Sequence, residues 1–525
     1  FMTGMIVVKI GLSGLSFAWY LRKHCHTETA AVGYFGIFYA LSGYMAAYSW
    51  NIMWLDCILL FPLILLGAAL LGRVIYRIAC CISEDAVRGK RQVRCLLLIV
   101  LIWCLLFGAV WVLLAASTPV ADQYMVATSA ERFAQGNYGR LEYGKYLYYY
   151  PFQVGLTAWE ELNFRLFGLH NYTALQLGNV LAILGTVYAG YRIVSLLFDK
   201  RRVEACYLLL MACCFPLLIF SAYIYGDVLS IFLSMLVLWQ TLRMVKTEKK
   251  SAVLWMVPAA AAAVALRSNS LIVLIAVCCV LGVKAITGKK WIYLLCVLLL
   301  GVGAFAGRKA IYQYYEAKSG TVINDGMPSV LWIAMGMQEG DLEAGWYNGY
   351  SIYIYQDTCL YDGPTAKALG IAEIKARVKV FLKDPLYAAD FYSRKFTSQW
   401  NDPTYGCFIM TYAADQGRSD LGESLYTGTP KAVLEKFMDS YQLVIYGAVL
   451  FLLVYRRKEK RELEWYVLLI AVIGGVLFHE LWEAKSRYVL PYFIMMIPMA
   501  AAGLMELGGA IGKWRTKDET AKGGR

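Results

Sequence analysis

The sequence is poor in the groups that build metal and nucleotide sites. It has four histidines, and its 14 cysteines form no CxxC pair and no His-Cys metal spacing. That removes the zinc ribbons and fingers from consideration. The long hydrophilic stretch 307–437 matches no nucleotide-binding, zinc or nucleophile motif. Charged residues make up only 17%, against about 25% in a soluble domain. What replaces them is apolar: 59% of the chain is hydrophobic and the mean hydropathy is +0.52. This excess falls in blocks of roughly 16–25 residues, enough to cross a hydrocarbon core about 30 Å thick. The net charge of +13 sits in short clusters between the blocks, a pattern of membrane topology and lipid headgroups and not of nucleic-acid binding. Most cysteines lie inside apolar blocks, where they act as small hydrophobes. Cys359 and Cys407 fall in 307–437, where an oxidising space would allow a disulfide between them.

About thirteen spans fit, near 3–21, 31–49, 55–76, 93–116, 174–198, 205–224, 228–245, 252–266, 270–286, 291–306, 438–455, 465–481 and 488–508. With these, the basic clusters at 22–23, 88–91, 200–202, 246–250, 289–290, 456–461 and 513–517 all fall on one side, the cytoplasmic one. The C-terminus is then cytoplasmic and Phe1 external; one further upstream span would bring the N-terminus inside. The first apolar stretch lacks the basic n-region and cleavage site of a signal peptide. The expected organisation is a three-span piece (1–76), a cytoplasmic linker (77–92), and a transmembrane core (93–306) whose first external loop is 117–173. A mixed extracytoplasmic domain (307–437), the last spans (438–510) and a cytoplasmic tail (511–525) follow.

The external segments carry the informative residues. Pro119 ends a span. Asp122 then opens an amphipathic helix, with Val126, Ala130, Phe133 and Ala134 at helical spacing and Gly136 as its C-terminal cap. Asp122 fits two roles: a helix cap, or a general base at the lipid boundary. The run Tyr143, Lys145, Tyr146, Tyr148, Tyr149, Tyr150 fits an interfacial aromatic belt. It also fits a cleft whose rings face a sugar, with Lys145 near a phosphate. Ionisable groups at membrane depth are costly and are functional candidates by default. Asp227 follows Tyr225-Gly226 in a short turn, Arg267 precedes Ser268-Asn269, and Glu483, Lys485 and Arg487 lead into the last span. The two arginines either snorkel to headgroups or converge on a phosphate, which a guanidinium suits. His479 reads as an interfacial histidine.

Over about 90–510 the chain resembles the GT-C glycosyltransferases of the family 39 type, which include protein O-mannosyltransferases and aminoarabinose transferases. The likeness rests on Pro119 to Gln123 with the surface helix, Tyr149-Tyr-Pro-Phe-Gln-Val-Gly155, Tyr225-Gly-Asp227, Arg267-Ser-Asn269 and Ser486-Arg-Tyr-Val-Leu-Pro491. It implies a polyprenyl-phosphate sugar donor, transfer outside the cytoplasm and a first-loop carboxylate, here Asp122, as general base. Many members pair two acids at that point; this chain has Gln123, so a paired-carboxylate metal site is not carried over and a divalent metal is left open. Over about 1–67 the stretch Phe38 to Asp56 is similar to an internal part of the YfhO family, membrane proteins implicated in glycosylating cell-wall polymers. That family's own first-loop acidic region is missing here. Residues 1–76 therefore read as a truncated YfhO-type piece joined near 68–90 to another GT-C unit, by natural fusion or by an artefact of assembly, and as dispensable for chemistry.

The expectation is an all-α, multi-pass GT-C-like bundle with the active site on the extracytoplasmic side of the cell membrane. It would move a sugar from a polyprenyl phosphate to an extracytoplasmic acceptor (a glycan, lipid or protein), with membrane lipids and no nucleic acid as further partners. Asp122 and Asp227 are the catalytic candidates; Lys145, Tyr149, Arg267, Glu483, Lys485 and Arg487 are the substrate-binding ones. The rival readings are a lipid or polysaccharide transporter or flippase, which would show internal repeats and mid-span charges, and a non-catalytic scaffold.

Overall fold

The computed structural model describes residues 53–413 and 417–522, with side chains from 61 to 512 outside that break. The first two expected spans and most of the Phe38–Asp56 stretch lie outside the described residues. The α-helices of six residues or more are α1 (Met53–Cys80), α2 (Arg88–Ala115), α3 (Asp122–Ala134), α4 (Val154–Phe167), α5 (Tyr172–Phe198), α6 (Arg201–Ala212), α7 (Asp227–Thr247), α8 (Val253–Leu266), α9 (Ser270–Gly288), α10 (Ile292–Ser319), α11 (Val330–Met335), α12 (Gly363–Lys383), α13 (Pro385–Trp400), α14 (Asp420–Thr427), α15 (Thr429–Tyr455), α16 (Val467–Leu481) and α17 (Leu490–Lys522).

Each of the eleven expected spans from 55–76 onward falls on helix, but not all are complete crossings. Nine helices among the described residues are long and apolar enough to cross a membrane. A tenth crossing forms if α6 and the stretch Phe215–Ala222 count as one span bent by 51°. The bend precedes Pro216, whose missing N–H and ring disfavour a continuous helix. Helix α8 has 14 residues, about 21 Å at 1.5 Å per residue, too short to cross alone. Of the eleven expected spans within the described residues, nine or ten thus stand as candidate crossings. The mixed character expected for 307–437 is corrected. Among the described residues this stretch is helical and strand-free, apart from one isolated parallel bridge between Trp346 and Ala484. The alternating run Ile374 to Val380 (IKARVKV) is helical all the same, within α12; α12 and α13 start with Asp362 and Asp384, each capping an N–H three residues on.

The bundle has two distinct ends. At one, the basic segments meet carboxylates: Lys246 and Lys284 reach Glu464 at 3.0 and 2.7 Å, and Lys200 reaches Glu506 at 3.7 Å. At the other, the chain between α2 and α3 meets the chain beyond α13, where the Ser117 hydroxyl donates to the Thr411 carbonyl. Helix α10 continues beyond its expected end at 306 to Ser319. Trp332 of α11 stacks on Trp482 just past α16, with centroids 5.7 Å apart and planes at 10°, and so docks 307–437 onto the bundle. Cys359 and Cys407 are both free thiols, so the disulfide expectation is not met.

Close helix packing relies on small residues, as is usual between membrane helices. A Cβ on Gly503 of α17 would stand 1.9 Å from the Ala448 carbonyl oxygen of α15. Gly503→Ala is expected to cost about 1–3 kcal/mol by overpacking, read as a lower thermal midpoint in detergent; an unchanged midpoint would contradict the tight contact. Helix α1 packs against α15 and α6. The Ser440 hydroxyl donates to the Ile64 carbonyl at 3.2 Å, and Ile75 and Ala79 are buried. Removing 1–76 would uncover this part of the bundle.

Candidate functional site

The site assembles where four stretches far apart in sequence meet: the start of α3, the turn before α7, the turn after α8, and the turn between α16 and α17. Buried amides hold these turns in place. Gln176 on α5 donates to the carbonyls of Ser117 and Ala222 at 2.9 and 3.1 Å. One turn further, Asn179 donates to Ser221 and Tyr223 at 3.2 and 2.7 Å. Gln123, in the place where a second acid was considered, is a strut. Its amide donates to the Met410 carbonyl at 3.2 Å and its oxygen accepts from the Ile224 amide at 3.1 Å. The Gln153 side chain donates to the Tyr225 hydroxyl. Gly155 lets α4 touch the end of α8, since a Cβ there would lie 2.1 Å from the Ala265 carbonyl oxygen.

Asp227 is the centre of the charged cluster. Arg267 donates to its Oδ1 at 3.3 Å and Arg487 to its Oδ2 at 3.5 Å. Arg487 also donates to the Tyr223 hydroxyl. Tyr225 lies beneath both guanidinium groups, at 4.9 Å from that of Arg267 and 5.2 Å from that of Arg487, and such faces favour cations. The two arginines, 220 positions apart in sequence (267 and 487), thus share one carboxylate. Both are largely buried, so neither has the exposed geometry of a snorkelling side chain. Burial is the largest influence on each and opposes its charge, but Asp227 and the neighbouring tyrosines outweigh it and raise both above the ordinary arginine range. A small cavity of about 20 Å³ opens beside Asp227 and Arg267, lined also by Ser230, Ser234, Asn269 and Ser270. It is room for roughly one water molecule.

Glu483 and Lys485 complete the cluster. Burial raises the Glu483 carboxyl, against the pull of Lys485 and Arg487. Burial and then Arg487 push the Lys485 ammonium down, while Glu483, Asp122 and Asp227 hold it up. Among the described residues Lys485 has no ion-pair partner. Arg267, Arg487 and Lys485 thus stand against the carboxylates of Asp227 and Glu483, with Asp122 a third carboxylate acting on the cluster.

Asp122 lies at the rim, exposed, at the first position of α3. It is not the cap: Ala121 holds that place, at φ 49°, with no side-chain cap bond. The Asp122 carboxylate instead accepts a long hydrogen bond, 3.4 Å, from the hydroxyl of Tyr146. Its field reaches Tyr150, Tyr225, Glu483 and Lys485. Tyr149 is half-buried, raised chiefly by burial and also by Asp122. Lys145 is different: it is exposed and is not among the groups acting on this cluster. Seven of the eight expected residues are therefore brought to one region, and Lys145 is not. Among the described residues no group of three or more His, Cys, Asp or Glu side chains could hold a metal ion.

Tyr223, Gln153 and Lys395 belong to the site's framework without having been singled out by sequence. Tyr223 sits two residues before the Tyr225-Gly226-Asp227 turn, a spacing that places two rings along one extended stretch. Gln153 lies within the Tyr149–Gly155 motif. Lys395 carried no signal, because an amphipathic, lysine-bearing helix reads as a solvated surface.

Residues 2–76 match the family described as Bacterial membrane protein YfhO. No curated protein and no solved structure matches the chain, so the resemblance to family 39 glycosyltransferases gains no support from these comparisons. The protein is a multi-pass helical membrane protein that is similar, over residues 2–76, to bacterial membrane protein YfhO.

Proposed function

We propose that the protein is a membrane glycosyltransferase that moves a sugar from a polyprenyl-phosphate donor to an acceptor on the extracytoplasmic face. The observation that supports this most is the Asp227–Arg267–Arg487 cluster with Lys485 beside it, next to the Asp122 carboxylate at the rim. In this reading an acceptor hydroxyl or amine attacks the anomeric carbon, the bond from that carbon to the phosphate oxygen breaks, and the polyprenyl phosphate leaves with the electron pair. Asp122 takes the acceptor's proton. Arg267, Arg487 and Lys485 offset the charge that develops on the leaving phosphate. Asp227 aligns the two guanidinium groups, Glu483 orients Lys485, and Tyr149 faces the sugar. A single displacement inverts the anomeric centre.

The test is direct. Purified protein in nanodiscs is given a polyprenyl-phosphate hexose with a mixture of cell-envelope acceptors, and released polyprenyl phosphate is followed by mass spectrometry. Time-dependent release, with an acceptor gaining the mass of one sugar, is the expected result. A donor that stays intact across hexose and pentose head groups would remove the transferase reading.

A further inference from the structure

Lys395 of α13 is wholly buried, yet an ammonium is rarely buried unless its charge is met. Here its Nζ donates to three main-chain carbonyls: Gly336 at 2.5 Å, Trp482 at 2.8 Å and Glu480 at 2.9 Å. Three N–H donors meet three acceptors, which is the whole donor capacity of the group. Two of those carbonyls belong to the end of α16 and its cap, directly before Glu483. The third belongs to the turn after α11. The neighbouring backbone closes around the same point. The Ala484 amide donates to the Gly345 carbonyl at 2.8 Å. A Cβ on Gly345 would lie 2.8 Å from the Lys395 stem, and one on Gly336 would lie 2.6 Å from the Trp482 carbonyl.

The turn that carries Glu483, Lys485 and Arg487 thus has one wall from the bundle and one from the 307–437 stretch. Helix ends leave carbonyls without intrahelical partners; here the Gln399 amide takes that of His479 at 3.5 Å, and the Lys395 ammonium takes those of Glu480 and of the cap residue Trp482. Backbone alone would leave them facing a buried interior. We propose that Lys395 is a positioning residue: it fixes the 480–488 turn and so sets where Glu483, Lys485 and Arg487 point. This rests on the reading of that cluster as a phosphate site, but its first test does not.

The experiment is hydrogen–deuterium exchange by mass spectrometry on the full chain in detergent, wild type against Lys395→Met and Lys395→Arg. Methionine keeps the volume of the stem and removes the three donors. The expected result for Lys395→Met is exchange faster by roughly tenfold or more in peptides covering 480–488 and 334–346, as loss of hydrogen bonds to a charged group implies. Peptides from α5 and α15 should be unchanged, and Lys395→Arg should fall between the two. In parallel, Lys395→Met should bind undecaprenyl phosphate at least about tenfold more weakly than wild type, with partial recovery in Lys395→Arg. Wild-type exchange of 480–488 in Lys395→Met, or unaltered undecaprenyl phosphate binding once that turn is loosened, would overturn the proposal. If Lys395→Met fails to fold, the wild-type protein decides. Peptides 480–488 and 334–346 should then gain exchange together in rising denaturant, as one cooperative unit, and separate transitions would overturn the link. Absence of sugar transfer by the wild-type protein would count against the transferase reading alone and leave the exchange result standing.

Discussion

Asp122→Asn is expected to lower polyprenyl phosphate release by about 10²–10⁴, the usual contribution of a positioned general base, without moving the thermal midpoint. The helix-cap alternative predicted little effect, because asparagine caps as well as aspartate. That alternative is weakened already, since Ala121 occupies the cap position and the carboxylate is turned to Tyr146 instead. An amide can still accept the Tyr146 hydrogen bond, so local structure is preserved while basicity is lost. The measurement is initial rate beside a melting curve for each protein. Near wild-type turnover in the variant would rule Asp122 out as the base.

Asp227→Ala should have the largest effect on stability of any single change in the cluster. It leaves two buried guanidinium groups without their shared carboxylate, and breaking a buried pair by removing one partner costs about 3–5 kcal/mol. A fall in thermal midpoint in detergent reads this. The complementary changes act on the ligand. Arg267→Ala and Arg487→Ala should each weaken binding of undecaprenyl phosphate by about 1.5–3 kcal/mol, the value of a hydrogen bond to a charged group. The geometry meets the condition this needs, because both guanidinium groups lie within 3.5 Å of one carboxylate and both could turn toward one phosphate. If the arginines serve only Asp227, both variants lose stability and keep their affinity for the lipid phosphate.

Helix positions were legible because apolar blocks of membrane length leave few alternatives, and the eleven expected spans within the described region all fell on helix. Their number as crossings was less legible. Hydropathy weighs composition, and 252–266 is apolar enough while being too short; the break before Pro216 likewise turns on backbone geometry. The convergence of Asp227, Arg267 and Arg487 was readable from sidedness, since each was expected to flank a span at the same face. The neutral framework was not readable. Gln176 and Asn179 look like ordinary polar residues in a helix until the 221–223 turn is found against them. Lys145 was drawn in by its tyrosine neighbours, yet a charge at a loop surface needs no partner. Lys395 shows the reverse: its meaning lies in three carbonyls supplied by segments about 60 and 85–87 residues away, a separation that the 2.5–2.9 Å contacts bridge.

The fit of α1 bears on how the two ends of the described chain are held together. Gly67 leaves space that the Ser440 side chain fills, Gly72 faces Leu504, and Gly508 of α17 leaves space for the Tyr76 ring. The hollow is on α1 twice, facing α15 at Gly67 and α17 at Gly72, and on α17 once, at Gly508. These pairings join the stretch similar to YfhO with helices more than 360 positions downstream. The first described helix is thereby keyed to α15 and α17, which brings the two ends of the described chain together.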